Sequence, residues 1–173
     1  SLKNNSKIIV DFAHTPEALE QSLIAIKKQF NKKIIIVFGC GGDRDKKKRI
    51  KMGKIAKKYC HKIFVTDDNP RYENPKIIRN AIIKGCGKIY ANIGNRKLAI
   101  KKAKKELELE SNQLLLVAGK GHEKTQDYGN KLIKFSDINI IKQLVKNKKF
   151  YNKKDFYQKK LIKKIFGNKK IIN

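Results

Sequence analysis

At 173 residues and 40% hydrophobic composition, the chain suits one domain with a real core, plus a tail. No run of about 18 apolar residues occurs, so no membrane-spanning helix is expected. The net charge of +28 would ordinarily suggest nucleic acid or an anionic surface, yet Arg occurs only at Arg44, Arg49, Arg71, Arg79 and Arg96. Phosphate and base readout would favour Arg interleaved with aromatics. This chain instead couples Lys with heavy Ile and Asn use, the pattern of compositional drift.

The chain opens Ser1-Leu2-Lys3-Asn4-Asn5, with neither an initiator Met nor a signal peptide's apolar core, and reads as a piece of a longer protein. Apolar runs near 7–13, 33–39, 62–67, 88–93 and 113–118 predict strands. Helical patterns lie between them. Leu19, Leu23, Ile26 and Phe30 keep helical spacing behind a Thr15-Pro16 start signal. Met52, Ile55, Ala56 and Tyr59 make a second stripe. Pro75 opens a third helix through Ile77, Ile78, Ala81 and Ile82, and Ile100, Ala103 and Leu107 mark a fourth. Residues 128–135 predict a turn and a last edge strand, and a final helix runs from Ser136 towards Val145. Strand-helix alternation implies crossovers, hence an α/β, Rossmann-like, mainly parallel sheet flanked by helices. A domain is expected over 1–147, with 148–173 a Lys-rich tail that adds no strand, so that cutting after Asn147 leaves a folded unit. Cys40, Cys60 and Cys86 are odd in number and lack Cys-x-x-Cys spacing, which argues against zinc or a disulfide framework and suits a reducing cytoplasm.

Chemistry concentrates where the apolar runs stop. After Lys62 to Thr66 come Asp67-Asp68-Asn69-Pro70-Arg71, with carboxylates, an amide and a guanidinium in five residues. Both signs together suit a zwitterion such as an amino-acid head group, because a guanidinium fork matches a carboxylate and an Asp can hold an ammonium. Taken alone, the segment reads more readily as an ordinary polar turn after a strand. However, Gly39-Cys40-Gly41-Gly42-Asp43-Arg44-Asp45 follows another apolar run, Gly119-Lys120-Gly121-His122-Glu123 a third, and Asp11-Phe12-Ala13-His14-Thr15-Pro16 a fourth. In an open parallel sheet the carboxyl ends of strands bind ligands, so four such ends make a candidate site. Gly39-Cys40-Gly41 does not complete a dinucleotide fingerprint, since Arg44 occupies the last Gly position. Gly119-Lys120-Gly121 is no Walker A loop, since Gly121 replaces the hydroxyl residue.

These four motifs, in this order over roughly residues 8 to 147, resemble the C-terminal domain of the Mur ligase family. The resemblance implies an ATP-dependent amide ligase that joins an amino acid to UDP-N-acetylmuramoyl-L-alanyl-D-glutamate (the UDP-MurNAc-dipeptide) in peptidoglycan synthesis. In the family an Asp-Asn-Pro-Arg signature goes with meso-diaminopimelate. On that basis Arg44, Asp68, Asn69, Pro70, Arg71, Gly119 and Glu123 are the expected amino-acid-binding residues, and Asp11 is expected at the ATP, near its ribose. Asp11 can also be read as a cap or turn residue for the following helix, and Arg44 as a solvated charge in a basic segment. Arg44 is taken to open a helix, whose free N–H groups would favour a carboxylate there. His14 reads as a structural or positioning group, and His61 has less to recommend it. No residue is a convincing nucleophile or base, and no metal site is expected. The phosphate loop, magnesium ligands and UDP-sugar site are implied for central and N-terminal domains that this chain lacks.

The chain departs from the family pattern at Phe12, which replaces a usual Tyr, and at Lys47 and Ile50, which replace a usual Gly and Pro. Those changes put the shape of the 45–50 loop in question. Two alternatives stand beside this reading. One is a lysine-adding or other Mur-type ligase. The other is a basic nucleic-acid-binding module, which a steep salt dependence of binding would reveal.

Overall fold

The computed structural model describes residues 5–145 and the strand 170–172. In chain order the elements are β1 (Lys7–Asp11), α1 (Pro16–Phe30), β2 (Lys33–Phe38), α2 (Lys47–Tyr59), β3 (Lys62–Val65), α3 (Pro75–Cys86) and β4 (Tyr90–Asn92). They continue with α4 (Arg96–Leu109), β5 (Gln113–Ala118), β6 (Thr125–Asp127), β7 (Leu132–Lys134), α5 (Asp137–Val145) and β8 (Lys170–Ile172). Helix starts follow their sequence signals. Thr15 accepts from the Ala18 amide with Pro16 in the first turn, Asn74 accepts from Lys76 ahead of Pro75, and Asn95 accepts from Leu98.

The main sheet has the order β4-β3-β2-β5-β1-β8, with β1 to β5 mutually parallel and β8 antiparallel on β1. Moving from β1 to β4 the chain marches in one direction across the sheet, and from β4 to β5 it steps back. Crossovers of a single hand therefore put α1, α2 and α3 on one face and α4 on the other. Packing agrees. Ile9, Ile34, Ile36, Phe38, Ile63 and Leu116 face Leu19, Leu23, Met52, Ala56, Ile78 and Ile82, while Ile8, Val10, Ile35, Val37 and Leu115 face Ile100, Ala103, Leu107 and Ile141. This alternation of strand side chains between two cores is what hydrophobic runs without a polar period require. Helices α2 and α3 touch backbone to backbone: a Cβ on Gly53 would lie 2.2 Å from the Ile82 carbonyl, and one on Gly85 2.3 Å from that of Ile50. All three cysteines are free and buried, and burial pushes the Cys40 and Cys86 thiols up to about 12.

Three expectations are corrected. The strand foreseen in residues 128–135 forms, as β7, but it pairs antiparallel with β6 in a separate two-stranded hairpin rather than extending the main sheet. The tail does contribute a strand: Ile8, Ile9 and Val10 pair with Ile172, Ile171 and Lys170. The outer edge of β1 offers unpaired backbone groups, and an apolar stretch at the far end of the chain satisfies them. The helix expected over residues such as Phe156, Leu161 and Ile165 lies outside the described residues. Third, α2 starts at Lys47, so Arg44 precedes the helix by three residues instead of opening it.

Candidate functional site

Because β1, β2, β3 and β5 are parallel, their carboxyl ends share one edge, and the four charged loops gather there. Their approach is close. A Cβ on Gly39 would meet the Thr66 carbonyl at 2.2 Å and one on Gly42 the Pro70 carbonyl at 1.8 Å, so the loops after β2 and β3 lie in direct backbone contact. Gly119 has φ +113°, and a Cβ there would stand 2.7 Å from Asp68 Oδ2.

Asn69 is the hub. Its amide donates to Glu123 Oε2 at 3.0 Å and accepts from Lys120 Nζ at 2.7 Å and from the Asp127 amide at 3.0 Å. Its carbonyl accepts from the Gly42 amide at 2.9 Å. One residue thus joins three loops, and its side chain must both donate and accept, which an Asp could not do. The Lys120 ammonium, wholly buried, also reaches Glu123 Oε2 at 2.7 Å. Burial alone would raise the Glu123 carboxyl. Hydrogen bonds from Lys120 and Asn69 and the charges of Lys120 and Arg96 outweigh it, holding the group below its ordinary value.

Arg71 has φ +51°, a strained conformation for a side-chain-bearing residue. Its amide donates to the Asp127 carbonyl at 3.1 Å, its Nη1 to the Gly42 carbonyl at 2.8 Å, and its Nε lies 3.8 Å from Asp127 Oδ2. The exposed Arg44 comes to the same place: the Cβ position of Gly41 lies 2.9 Å from Arg71 Nη1 and 3.9 Å from Arg44 Cγ. The Arg71 guanidinium and the stem of the Arg44 side chain thus meet at one glycine, while Arg44 Nη1 donates to the Asp43 carbonyl at 3.5 Å. Pro70 is buried between these loops.

Asp68 is turned inward. It is 8% exposed, and its Oδ2 stands 3.7 Å from Arg96 Nη1 beneath Gly119. Asp11 ends β1 buried, its Oδ1 accepting from the Ala13 amide at 3.3 Å and its carbonyl from Gly119 at 3.1 Å. His14 is exposed, with a ring nitrogen 2.8 Å from the Phe12 carbonyl, and Phe12 stacks on His122 with ring centres 5.6 Å apart. His61 sits at the opposite edge, 2.9 Å from the Ile34 carbonyl. Among the described residues no group of three or more His, Cys, Asp or Glu side chains is placed to hold a metal ion.

Several structural partners were not singled out by sequence. Arg49, 1% exposed, holds Glu73 through two hydrogen bonds of 2.8 and 3.0 Å, and Glu73 accepts from the Asp43 amide at 2.7 Å. Arg79 pairs with Asp67, whose other oxygen accepts from the Tyr128 hydroxyl at 3.1 Å. Burial and that carboxylate push Tyr128 up to about 12, so it stays a donor. Arg96 binds Asp137 with both ends of its fork, at 2.9 and 2.8 Å. The usable signal was the rarity of Arg itself: where two donors must meet one carboxylate, Lys cannot substitute.

The Glu73 clasp carries a pH dependence. The Arg49 hydrogen bonds lower the Glu73 carboxyl below its ordinary value; burial opposes this in part and the Asp43 amide adds to it. A depressed carboxylate contributes stability above its unfolded pKa and loses it as pH falls through the folded value. Urea unfolding across an acid series should show stability falling through and below the ordinary carboxylate range, with a shallower slope in Glu73→Gln. An identical slope in the variant would remove Glu73 from the acid limb.

The family model described as Mur ligase, glutamate ligase domain, matches residues 1–121. The chain is 49% identical over 146 residues to the UDP-N-acetylmuramoyl-L-alanyl-D-glutamate–2,6-diaminopimelate ligase of Rickettsia conorii, covering 83% of this chain and 30% of that protein. It is also 49% identical over 154 residues to the ligase of the same name from Buchnera aphidicola subsp. Baizongia pistaciae, covering 86% of this chain and 29% of that protein. A solved ligase of that name superposes with TM-score 0.76 at 32% identity, over 85% of this chain and 30% of the other. Folylpolyglutamate synthase from Mycobacterium tuberculosis shares the fold, with TM-score 0.55 at 15% identity over 69% of this chain and 29% of that one. The chain thus spans about 30% of the length of the curated relatives it matches. It belongs to the Mur ligase family, as a glutamate ligase domain.

Proposed function

We propose that this chain is the C-terminal domain of an ATP-dependent amide ligase that adds meso-diaminopimelate to UDP-N-acetylmuramoyl-L-alanyl-D-glutamate. The observation that carries the reading is the placing of the Arg71 guanidinium and the Arg44 side chain beside Gly41, on loops that Asn69 ties to Glu123. Cations on one side and a depressed carboxylate on the other match a zwitterionic end of the amino acid. Arg44 and Arg71 take its carboxylate and Glu123 its ammonium. Asn69, Pro70 and Gly119 shape the polar lining, while Asp68 acts from beneath it. Asp11, at the end of β1, faces the ATP side. The names of relatives 45% to 49% identical to the chain support diaminopimelate over lysine.

In this reaction the terminal carboxylate of the UDP-linked dipeptide attacks the γ-phosphoryl group of ATP, giving an acyl phosphate and ADP. An amino group of diaminopimelate then attacks the acyl carbon and loses a proton, the acyl C–O bond breaks, and phosphate departs with its electron pair. This domain orients the amine and closes over the nucleotide, so that water does not reach the acyl phosphate. The phosphate loop and magnesium ligands belong to a central domain, and the whole ligase works in the cytoplasm. The 173-residue chain alone, incubated with ATP, magnesium and both substrates, should form no ligated product and no ADP, whereas a full-length ligase carrying it should form both. Product from the chain alone would overturn this division of labour.

A further inference from the structure

Arg96 opens α4, where a cation works against the helix dipole, so its placement needs another cause. The cause lies in its partners. Its side chain is wholly buried; Nε and Nη2 bind Asp137 at the start of α5, and Nη2 also donates to the Ala118 carbonyl at 2.9 Å. The remaining nitrogen, Nη1, has no hydrogen-bond partner and faces Asp68 Oδ2, likewise without one, across 3.7 Å. Directly above, Gly119 leaves room for that carboxylate only because it lacks a Cβ, and the same Cβ position is 4.0 Å from Arg96 Nη2. Arg96 therefore stands under both the end of β5 and the turn that begins the Asp68-Asn69-Pro70-Arg71 segment. A guanidinium can do this because its fork spans acceptors on three separate elements; an ammonium could satisfy them only by moving.

We propose that Arg96 is a positioning residue for the amino-acid site, holding Asp68 and the Gly119 peptide from beneath and so fixing the Asn69–Arg71 turn, without touching ligand. It rests on the reading of these loops as the diaminopimelate site. The pair Arg96–Asp68 is the coupling element, and Asp137 anchors the guanidinium to the far face of the sheet.

Two variants test it, Arg96→Lys and Asp68→Asn, the second keeping shape if the first fails to fold. In a full-length ligase carrying this domain, each should raise KM for meso-diaminopimelate about tenfold or more, with kcat and KM for ATP within about threefold. In the ligand-free 173-residue chain, amide resonances of Asn69, Arg71 and Gly119 should shift while those of the last turn of α4 stay in place. A fall in kcat with unchanged KM for diaminopimelate, or unmoved Asn69 and Gly119 amides in a folded variant, overturns the proposal. Failure of the wild-type ligase to use diaminopimelate sinks the substrate reading instead, and the ligand-free resonances then decide the positioning role by themselves.

Discussion

Arg71→Ala in a full-length ligase carrying this domain is expected to lower kcat/KM for meso-diaminopimelate by about two orders of magnitude or more, with KM for ATP within about threefold. Diaminopimelate differs from lysine by a second carboxylate at its far end. With Arg71 and Arg44 both beside Gly41, lysine would bring no carboxylate to this corner, and Arg71 would keep only the Gly42 carbonyl and Asp127. The loss is that of a hydrogen bond between charged groups, about 1.5–3 kcal/mol, on the order of a 10²-fold preference. Alanine removes the corner's fork, so the preference over lysine should narrow along with the absolute rate. The backbone effect is small by comparison, because Arg71 already pays for φ +51° and alanine suffers the same strain. Measuring kcat/KM for both amino acids in wild type and variant decides the matter. An unchanged ratio would take Arg71 out of substrate choice and favour a lysine-adding ligase.

The largest expected stability effect lies at Asp137. It and Arg96 are both fully buried, and burial alone would push the Arg96 guanidinium towards neutrality. The charges of Asp137, Asp68 and Glu123 outweigh that and raise it above its ordinary value. Removing one member of a buried pair strands the other, at a cost of about 3–5 kcal/mol. Asp137→Ala should therefore lower the melting temperature of the 173-residue chain by roughly 10 °C. Arg96→Met combined with Asp137→Ala should recover part of the loss, since no charge is then left in the interior. A melting temperature within about 2 °C of wild type in the single variant would show that the pair is solvated or already compensated by Asp68.

How far such effects were foreseeable depends on what each residue must do alone. Thr15-Pro16 and Asn74-Pro75 announce helix starts because a capping side chain and a fixed φ act within one turn, and both helices begin there. The apolar runs that became β2 and β5 could be read for the same reason, as could the loops that interrupt them. Lys120 could not. In a chain of 43 Lys and Arg residues its letter carries no information, yet its ammonium is enclosed between Asn69 and Glu123. Asp137 is by position an ordinary first-turn acid of α5, and only the fold brings it to Arg96, 41 positions earlier. Asp127, the acid beside Arg71, was hidden because the hairpin that carries it folds back over the Asp67–Tyr72 stretch instead of joining the sheet. The strand at 170–172 is a few residues whose partner lies at the other end of the chain; no local period marks it.

The glycine seam between α2 and α3 has a bearing on engineering. Helical glycines are usual targets for thermostabilisation, since alanine lowers the entropy of the unfolded chain and gains roughly 0.5–1 kcal/mol. Here both substitutions are barred, because a methyl group at Gly53 or Gly85 would strike the neighbouring helix's carbonyl at 2.2 or 2.3 Å. Relief would come only by prising the two helices apart. Each helix is tethered to a loop at the sheet's carboxyl edge, α2 through Gly39–Lys46 and α3 through Thr66–Asn74, so the gap between Arg44 and Arg71 would widen with them. The placing of the loops that carry Arg44 and Arg71 thus leans on two glycines in the α2–α3 seam, and a stabilising screen that replaced them would be expected to disturb those loops.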